Sequence, residues 1–154
     1  MNNKIVNILT FNTKIGWITV KEESNMIISI GFKKSKNIGN SVVLKNFKKN
    51  FKNYLLKRTK ILNSKILMTG TTLQIKIWKE LRKIPYGKTK SYGEIAAKVK
   101  TSPRYVGNVC GQNKHLVAIP CHRVIKGDGS LGGFSAPGGI KTKRKMLNLE
   151  GFKI

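Results

Sequence analysis

The strongest constraint on the fold is a pair of helix starts placed close together. Ser91-Tyr92-Gly93-Glu94 has the form of a capping box, with Ser91 as N-cap and Glu94 at the third helical position. Ile95, Ala96 and Val99 follow at helical spacing. Lys100-Thr101 makes a turn, and Ser102-Pro103 starts a second helix, because proline at the first helical position lacks only an N–H that has no helical partner anyway. That helix runs from Arg104 to Cys110, and Gly111 closes it. Two short helices joined by so tight a turn read as a helix-turn-helix. After Arg104 the second helix offers Val106, Gly107 and Asn108. Helices that read a major groove carry longer side chains. Small ones permit close approach to a nucleic-acid backbone or narrow groove, and equally to another helix.

Charge supports the nucleic-acid side of that choice. The chain has 31 Lys+Arg against 6 Asp+Glu, a net +25, which suits a polyanionic partner. The cations are mostly lysines scattered among many Ile and Asn, as a lysine-biased composition alone would give, so only part of the excess is assigned to a partner. Acids are scarce enough that Glu94 and Glu150 each need a reason. A length of 154 residues allows one sizeable core or two small ones. No apolar run approaches the ~18 residues of a membrane span. Met1-Asn2-Asn3-Lys4 lacks the apolar stretch of a signal peptide. A cytoplasmic protein with no membrane partner is expected, its two Cys present as thiols.

Ahead of the helix pair, residues 4–32 read as an antiparallel meander, with strands at 5–10, 16–21 and 26–32 and turns at 12–14 and 22–25. Residues 33–39 are a lysine-rich loop. Residues 41–56 have helical spacing, with Leu44, Phe47, Phe51 and Tyr54 or Leu55 on one side and lysines on the other, a side that could contact DNA but reads first as an ordinary solvated face. Residues 60–67 are a fourth strand or a linker. Thr71 or Thr72 caps a helix carrying Ile75, Trp78 and Leu81 or Arg82, and Pro85-Tyr86-Gly87 ends it. A last helix spans 140–149 and stops at Glu150-Gly151. The expected fold is α+β: a small N-terminal antiparallel sheet domain with a helix, residues 1–68, and a mainly helical domain with the helix-turn-helix, residues 69–154.

Chemistry concentrates at Ile119-Pro120-Cys121-His122-Arg123-Val124, where a thiol, an imidazole and a cation stand side by side. A thiolate is the most nucleophilic ordinary side-chain group, and a neighbouring cation or imidazole can lower its pKa. An unperturbed thiol, pKa ~8.5, is only a few per cent ionised at neutral pH; lowering it by about two units requires ~2.7 kcal/mol of differential stabilisation. On an extended strand Cys121 and His122 point to opposite faces, which suits a water-bridged relay better than the direct dyad of a cysteine hydrolase. Gly132 to Gly139 form a glycine-rich loop without the setting of a phosphate-binding loop, and they read as backbone that can approach a ligand closely. Cys110, His115, Cys121 and His122 fit no common zinc spacing. Cys110 reads as a small buried thiol, His115 as an exposed loop residue, and no metal is expected.

Pro120-Cys121-His122-Arg123-Val124, preceded by the helix-turn-helix and followed by the glycine-rich loop and Leu149-Glu150-Gly151, resembles the O6-alkylguanine-DNA alkyltransferase (methylated-DNA–protein-cysteine methyltransferase) family. Ile84-Pro85-Tyr86-Gly87, Ser91-Tyr92-Gly93-Glu94-Ile95-Ala96, and Val106-Gly107 with Asn113 fall in family order, and the likeness is clearest from Thr69 to Gly151. The resemblance implies a ribonuclease H-like N-terminal domain, a C-terminal DNA-binding and alkyl-acceptor domain, and a monomeric, single-turnover repair protein without a cofactor. It would act on double-stranded DNA containing alkylated bases. O6-alkylguanine, with O4-alkylthymine as a second candidate, would be flipped out through the minor groove and its alkyl group moved to Cys121. By position, His122 is the water-linked base, Glu150 orients and charge-stabilises it, and Asn113 braces the network. Tyr92 hydrogen-bonds the flipped base and crowds its 3′ phosphate. Arg104 is the arginine finger, with Ser102, Val106, Gly107 and Asn108 beside it on the DNA side. Ser135 donates to O6, while backbone near Val124 and Phe134 lines the pocket. The chain departs from the family in a short turn between the two helices, in Phe134 where some members have Tyr, and in lacking the Cys and His of an N-terminal zinc site. The alternative is a DNA-binding sensor or regulator without chemistry, but the sensor relatives lack the cysteine.

Overall fold

The computed structural model describes residues 4–62 and 64–153. Met1–Asn3, read above as lacking a leader, and Asn63 in the segment 60–67 lie outside them. The architecture is α+β, and the chain divides into two compact units. One runs to Leu67 and takes in Lys114–Ala118; the other comprises Met68–Asn113 and the chain from Ile119 onward. Among the described residues no helix is long and apolar enough to cross a membrane.

In the first unit β1 (Val6–Thr13), β2 (Gly16–Glu23) and β3 (Met26–Gly31) form an antiparallel meander in that order. The strands are longer and the turns tighter than the residue pattern suggests. Asn12 and Thr13 pair with Trp17 and Gly16, and Glu22 and Glu23 belong to β2 rather than to a turn. Glu22 is buried and accepts from Asn7 Nδ2 across the ladder at 3.1 Å, which is how an acidic residue comes to sit inside a strand. Ser24 and Asn25 both take positive φ (52° and 66°), the requirement of a two-residue hairpin turn whose twist matches the strands. Helix α1 (Val42–Leu55), capped by Ser41, buries Leu44, Phe47, Phe51, Tyr54 and Leu55. Phe51 meets Phe11 of β1 edge-on, ring centroids 5.9 Å apart.

Of the two readings of residues 60–67 the linker holds: among the described residues there is no full strand, and Ile66 bridges in parallel to Ile27. One reading changes here. His115 is not an exposed loop residue. It is buried, bridges to Ile30, and places Nε2 3.1 Å from the Ile27 carbonyl, serving as a structural hydrogen-bonding group inside the unit.

In the second unit α2 (Thr72–Arg82) opens on a complete capping box, Thr71 with Gln74. It buries Ile77, Trp78 and Leu81, while Ile75 is only half-buried, so the stripe is rotated from the one expected. A two-residue strand β4 (Lys90–Ser91) leads into α3 (Tyr92–Val99), where the Ser91–Glu94 box is closed in both directions. Lys100 adopts the left-handed conformation that reverses the chain, and α4 (Pro103–Cys110) begins with Ser102 accepting from the Tyr105 N–H. β4 pairs in parallel with β5 (Val124–Ile125), Lys90 opposite Val124 and Ser91 opposite Ile125. This short pairing fixes the Cys121 segment beside the start of α3. Helix α5 (Ile140–Leu149) buries Met146 and Leu147 completely, and Leu147 packs with Ile125, Leu131 and Phe152.

Candidate active site

The Cys121 segment is a turn, not a strand. Pro120 sits at φ −81°, ψ 64°, the dihedrals of an inverse γ-turn, and the Cys121 N–H donates to the Ile119 carbonyl at 2.8 Å. Cys121, His122 and Arg123 then form one turn of 3₁₀ helix, closed by Arg123 N–H to Pro120 O at 2.9 Å. The opposite-face geometry expected of a strand therefore does not apply, and all three side chains are buried.

Glu150 is the hub beneath this turn. Its Oε2 lies 2.8 Å from His122 Nε2 and accepts from Arg123 Nη2 at 2.8 Å. Its Oε1 accepts from Arg123 Nε at 2.7 Å and from the Gly87 N–H at 3.2 Å. Burial alone would raise the carboxyl pKa, but the hydrogen bonds from His122 and Arg123 outweigh it and hold Glu150 far below the usual carboxylate range. An ionised carboxylate can only accept, so His122 Nε2 is the donor. Burial also pushes His122 below its ordinary value, against the pull of Glu150. The imidazole is thus neutral at pH 7 with its proton on Nε2. Nδ1 keeps a lone pair, and it has no hydrogen-bond partner among the described residues.

The segment Pro85-Tyr86-Gly87, which ends a helix in the residue pattern and falls in family order, is part of this assembly. Tyr86 Oη donates to the Leu149 carbonyl at 3.2 Å and Arg123 Nη1 to the Ile84 carbonyl at 2.8 Å. Gly87 is at φ 75°, and a Cβ there would lie 2.7 Å from the Glu150 carbonyl oxygen.

On the other side of the turn Asn113 Nδ2 donates to Cys121 Sγ at 3.2 Å and to the Ile119 carbonyl at 2.8 Å. Cys121 is 5% exposed. Burial pushes its thiol up, with the Asn113 N–H and the Lys143 charge pulling down but not prevailing. The neighbours therefore do not lower this thiol as the dipeptide suggests; at rest it is protonated.

Lys143, unmarked by any sequence pattern beyond the lysine-rich last helix, is fully buried. Its Nζ donates to the carbonyls of Val124 and Leu131, both at 2.6 Å, and more weakly to Gly133 O at 3.3 Å and Tyr92 Oη at 3.4 Å. One ammonium thus ties the glycine loop to the Cys121 segment. Burial lowers its pKa to about 8. Burial, with the nearby thiols Cys110 and Cys121, raises Tyr92 to about 12, so its hydroxyl stays a donor.

Cys121 and Tyr92 line a cavity of about 570 Å³. Arg104, Gly107 and Cys110 of α4 form one wall, and Gly132, Gly133, Phe134 and Ser135 of the glycine loop another. Gly132 is at φ 72°, where a Cβ would come within 3.1 Å of Tyr92 Oη; glycine lets the loop lie against the phenol. The other expected residues fall elsewhere. Val106 is buried in the core and presents nothing to a partner, contrary to its expected DNA-side role. Val124 contributes its carbonyl to Lys143 rather than lining the cavity. Ser102 is the exposed α4 cap, and Asn108 is exposed on α4; neither is among the cavity-lining residues. Cys110 faces the cavity wall as a buried free thiol, raised to about 12 by burial and by Cys121. Among the described residues no cluster of three His, Cys, Asp or Glu could hold a metal ion.

Residues 72–152 match the family model described as 6-O-methylguanine DNA methyltransferase, DNA binding domain. A methylated-DNA–protein-cysteine methyltransferase of Sulfolobus acidocaldarius is 38% identical over 147 residues, spanning 94% of this chain and 92% of that one. The crystal structure of Mycobacterium tuberculosis O6-methylguanine methyltransferase is similar at a TM-score of 0.84 and 29% identity, covering 95% of this chain and 93% of that one. Mycobacterium tuberculosis OGT in complex with DNA is similar at 0.83 and 29% identity, over 94% and 92%. With the family model covering more than half of the chain and so similar a relative along nearly all of it, this chain belongs to the methylated-DNA–protein-cysteine methyltransferase family.

Proposed function

We propose that this protein repairs DNA by moving an alkyl group from O6 of guanine to Cys121 Sγ, once per molecule, acting as a cytoplasmic monomer on double-stranded DNA with alkylated bases. The observation that carries the reading is the polarised chain behind the thiol. Asn113 donates to Sγ, and a neutral His122, pinned through Nε2–H to an ionised Glu150, offers a free Nδ1 lone pair on the same short turn.

The chemistry is a displacement at an sp³ carbon. The S–C bond forms as the C–O6 bond breaks, and the bonding pair leaves with the base. Sγ must lose its proton as it attacks, and His122 Nδ1 takes it through a bridging water. Glu150 stabilises the resulting imidazolium. The departing guanine must gain a proton. Tyr92, held as a phenol, and Ser135 at the loop edge are the donors on that side, with Lys143 Nζ directed at Tyr92 Oη so that the phenolic proton points away from it. The alkyl carbon is unreachable inside the base stack, so the nucleotide is flipped into the cavity, and the exposed Arg104 on its rim fills the gap left behind. The thioether has no leaving group that water could displace easily, so the protein is spent.

Intact-protein mass after incubation with a duplex carrying one O6-methylguanine tests this. A gain of one methylene, mapped to Cys121 and limited to a single event, is the expected result. Tight binding without mass gain would replace it with the sensor reading.

A further inference from the structure

Helix α1 buries one face completely, and its other face carries Lys45, Lys49 and Lys52, all exposed. The helix contains no acidic residue, and residues 24–79 contain none either. Lys45 and Lys49 are four apart, as are Lys48 and Lys52, and Lys49 and Lys52 are three apart, so like charges repel along the stripe without a carboxylate to offset them. Lys45 also lies in the N-terminal part of the helix, where the helix dipole is already positive. A helix that destabilises itself in this way gains from a polyanion laid along it.

We propose that the Lys45–Lys49–Lys52 face is a second DNA-contacting surface, which grips the sugar-phosphate backbone of duplex DNA without reading bases. It lies in the first unit, apart in sequence from the helix-turn-helix, and it rests on the reading that the protein acts on duplex DNA. The geometry fits: the stripe runs about 10 Å along the helix at 1.5 Å per residue, and a DNA strand presents a phosphate every ~3.4 Å of axis. An anionic membrane fits less well, because an interfacial helix inserts an apolar face, and here that face is occupied by the sheet and its own core.

The test is the salt dependence of binding to an undamaged duplex, using the full chain. The triple variant Lys45→Gln/Lys49→Gln/Lys52→Gln removes three charges from the stripe. Lys14→Gln/Lys33→Gln/Lys36→Gln removes three from exposed positions elsewhere in the same unit. The slope of log affinity against log salt should become shallower by about 2–3 in the first variant, given ~0.9 per phosphate neutralised, and stay near wild type in the second. An arginine triple at the stripe should keep the wild-type slope. Equal slopes for the stripe and control variants would overturn the proposal, as would loss of binding to phosphatidylserine vesicles with no change on DNA. Absent transfer in the wild type would sink the repair reading alone, leaving the slope comparison to judge this face.

Discussion

Replacing Glu150 by Gln is the sharpest probe of the site because the substitution keeps shape while removing the charge and turning one acceptor oxygen into a donor. Oε1 receives Arg123 Nε and the Gly87 N–H, and Oε2 receives His122 Nε2 and Arg123 Nη2. An amide has one acceptor end. Whichever way it turns, its NH₂ faces two donors, and a buried guanidinium loses its counter-charge. Two lost charge-assisted bonds amount to about 3–6 kcal/mol, and breaking a buried ion pair from one side costs about 3–5 kcal/mol. The two routes agree near 4 kcal/mol, a large share of the ~5–15 kcal/mol that holds a small domain folded. Urea unfolding at pH 7 should show the midpoint falling with an unchanged m-value. Adding Arg123→Met should recover part of the loss, because it removes the orphaned cation. A loss below about 1 kcal/mol, or no recovery in the double variant, would refute the account of Glu150 as a buried charged hub.

Acid should destabilise the protein in two stages. His122 has a lowered folded pKa, so below about pH 6.5 the unfolded chain binds the extra proton and stability falls; Glu150, also lowered, holds stability above its unfolded value near 4.3 and gives it up as pH drops further. His122→Gln should erase the first stage and leave the second, as read by urea midpoints across pH. Lys143→Met should uncouple the glycine loop from the Cys121 segment, leaving the Val124 and Leu131 carbonyls unsatisfied at about 1–3 kcal/mol each and raising hydrogen exchange across 131–133. Gly87→Ala should lower transfer and stability together, because its Cβ meets the Glu150 backbone at 2.7 Å; wild-type stability in that variant would contradict the geometry.

The helix pair was legible because caps are local: Ser91 with Glu94 and Ser102 with Tyr105 form their bonds within one turn of chain, Pro103 fits the first helical position, and the structure contains both starts. The meander was legible for the same reason, and only its turns were drawn too wide. Cys121 and Glu150 stand out in the sequence through family order and, for Glu150, through the rarity of acids. Long-range burial was not legible. Lys143 looks like any lysine of a basic helix until its ammonium is seen to meet carbonyls twelve and nineteen residues away. Arg123 and Gly87 serve Glu150 from separate parts of the chain, and His115 is held by a strand far upstream. Val106 shows the reverse error, since its place beside Arg104 in sequence says nothing of which helix face it occupies.

The raised thiol of Cys121 has a use in a protein that reacts once. A preformed thiolate would be consumed by any passing electrophile or oxidant, and each event would cost a whole molecule. Burial keeps the sulfur protonated with the Asn113 N–H against it, and in the mechanism proposed above His122 Nδ1 takes the proton only when an aligned carbon completes the transition state. Cys121 should therefore react with iodoacetamide more slowly than a free cysteine at pH 7, and its rate should climb only at alkaline pH, above the ~8.5 of an ordinary thiol. Asn113→Ala, by deleting a bond that favours the thiolate, should move that profile further up while slowing repair of O6-methylguanine. A midpoint below ~8.5, or an Asn113→Ala profile shifted downward, would mean that the thiolate stands ready in the free protein and that the network serves to store charge rather than to withhold it.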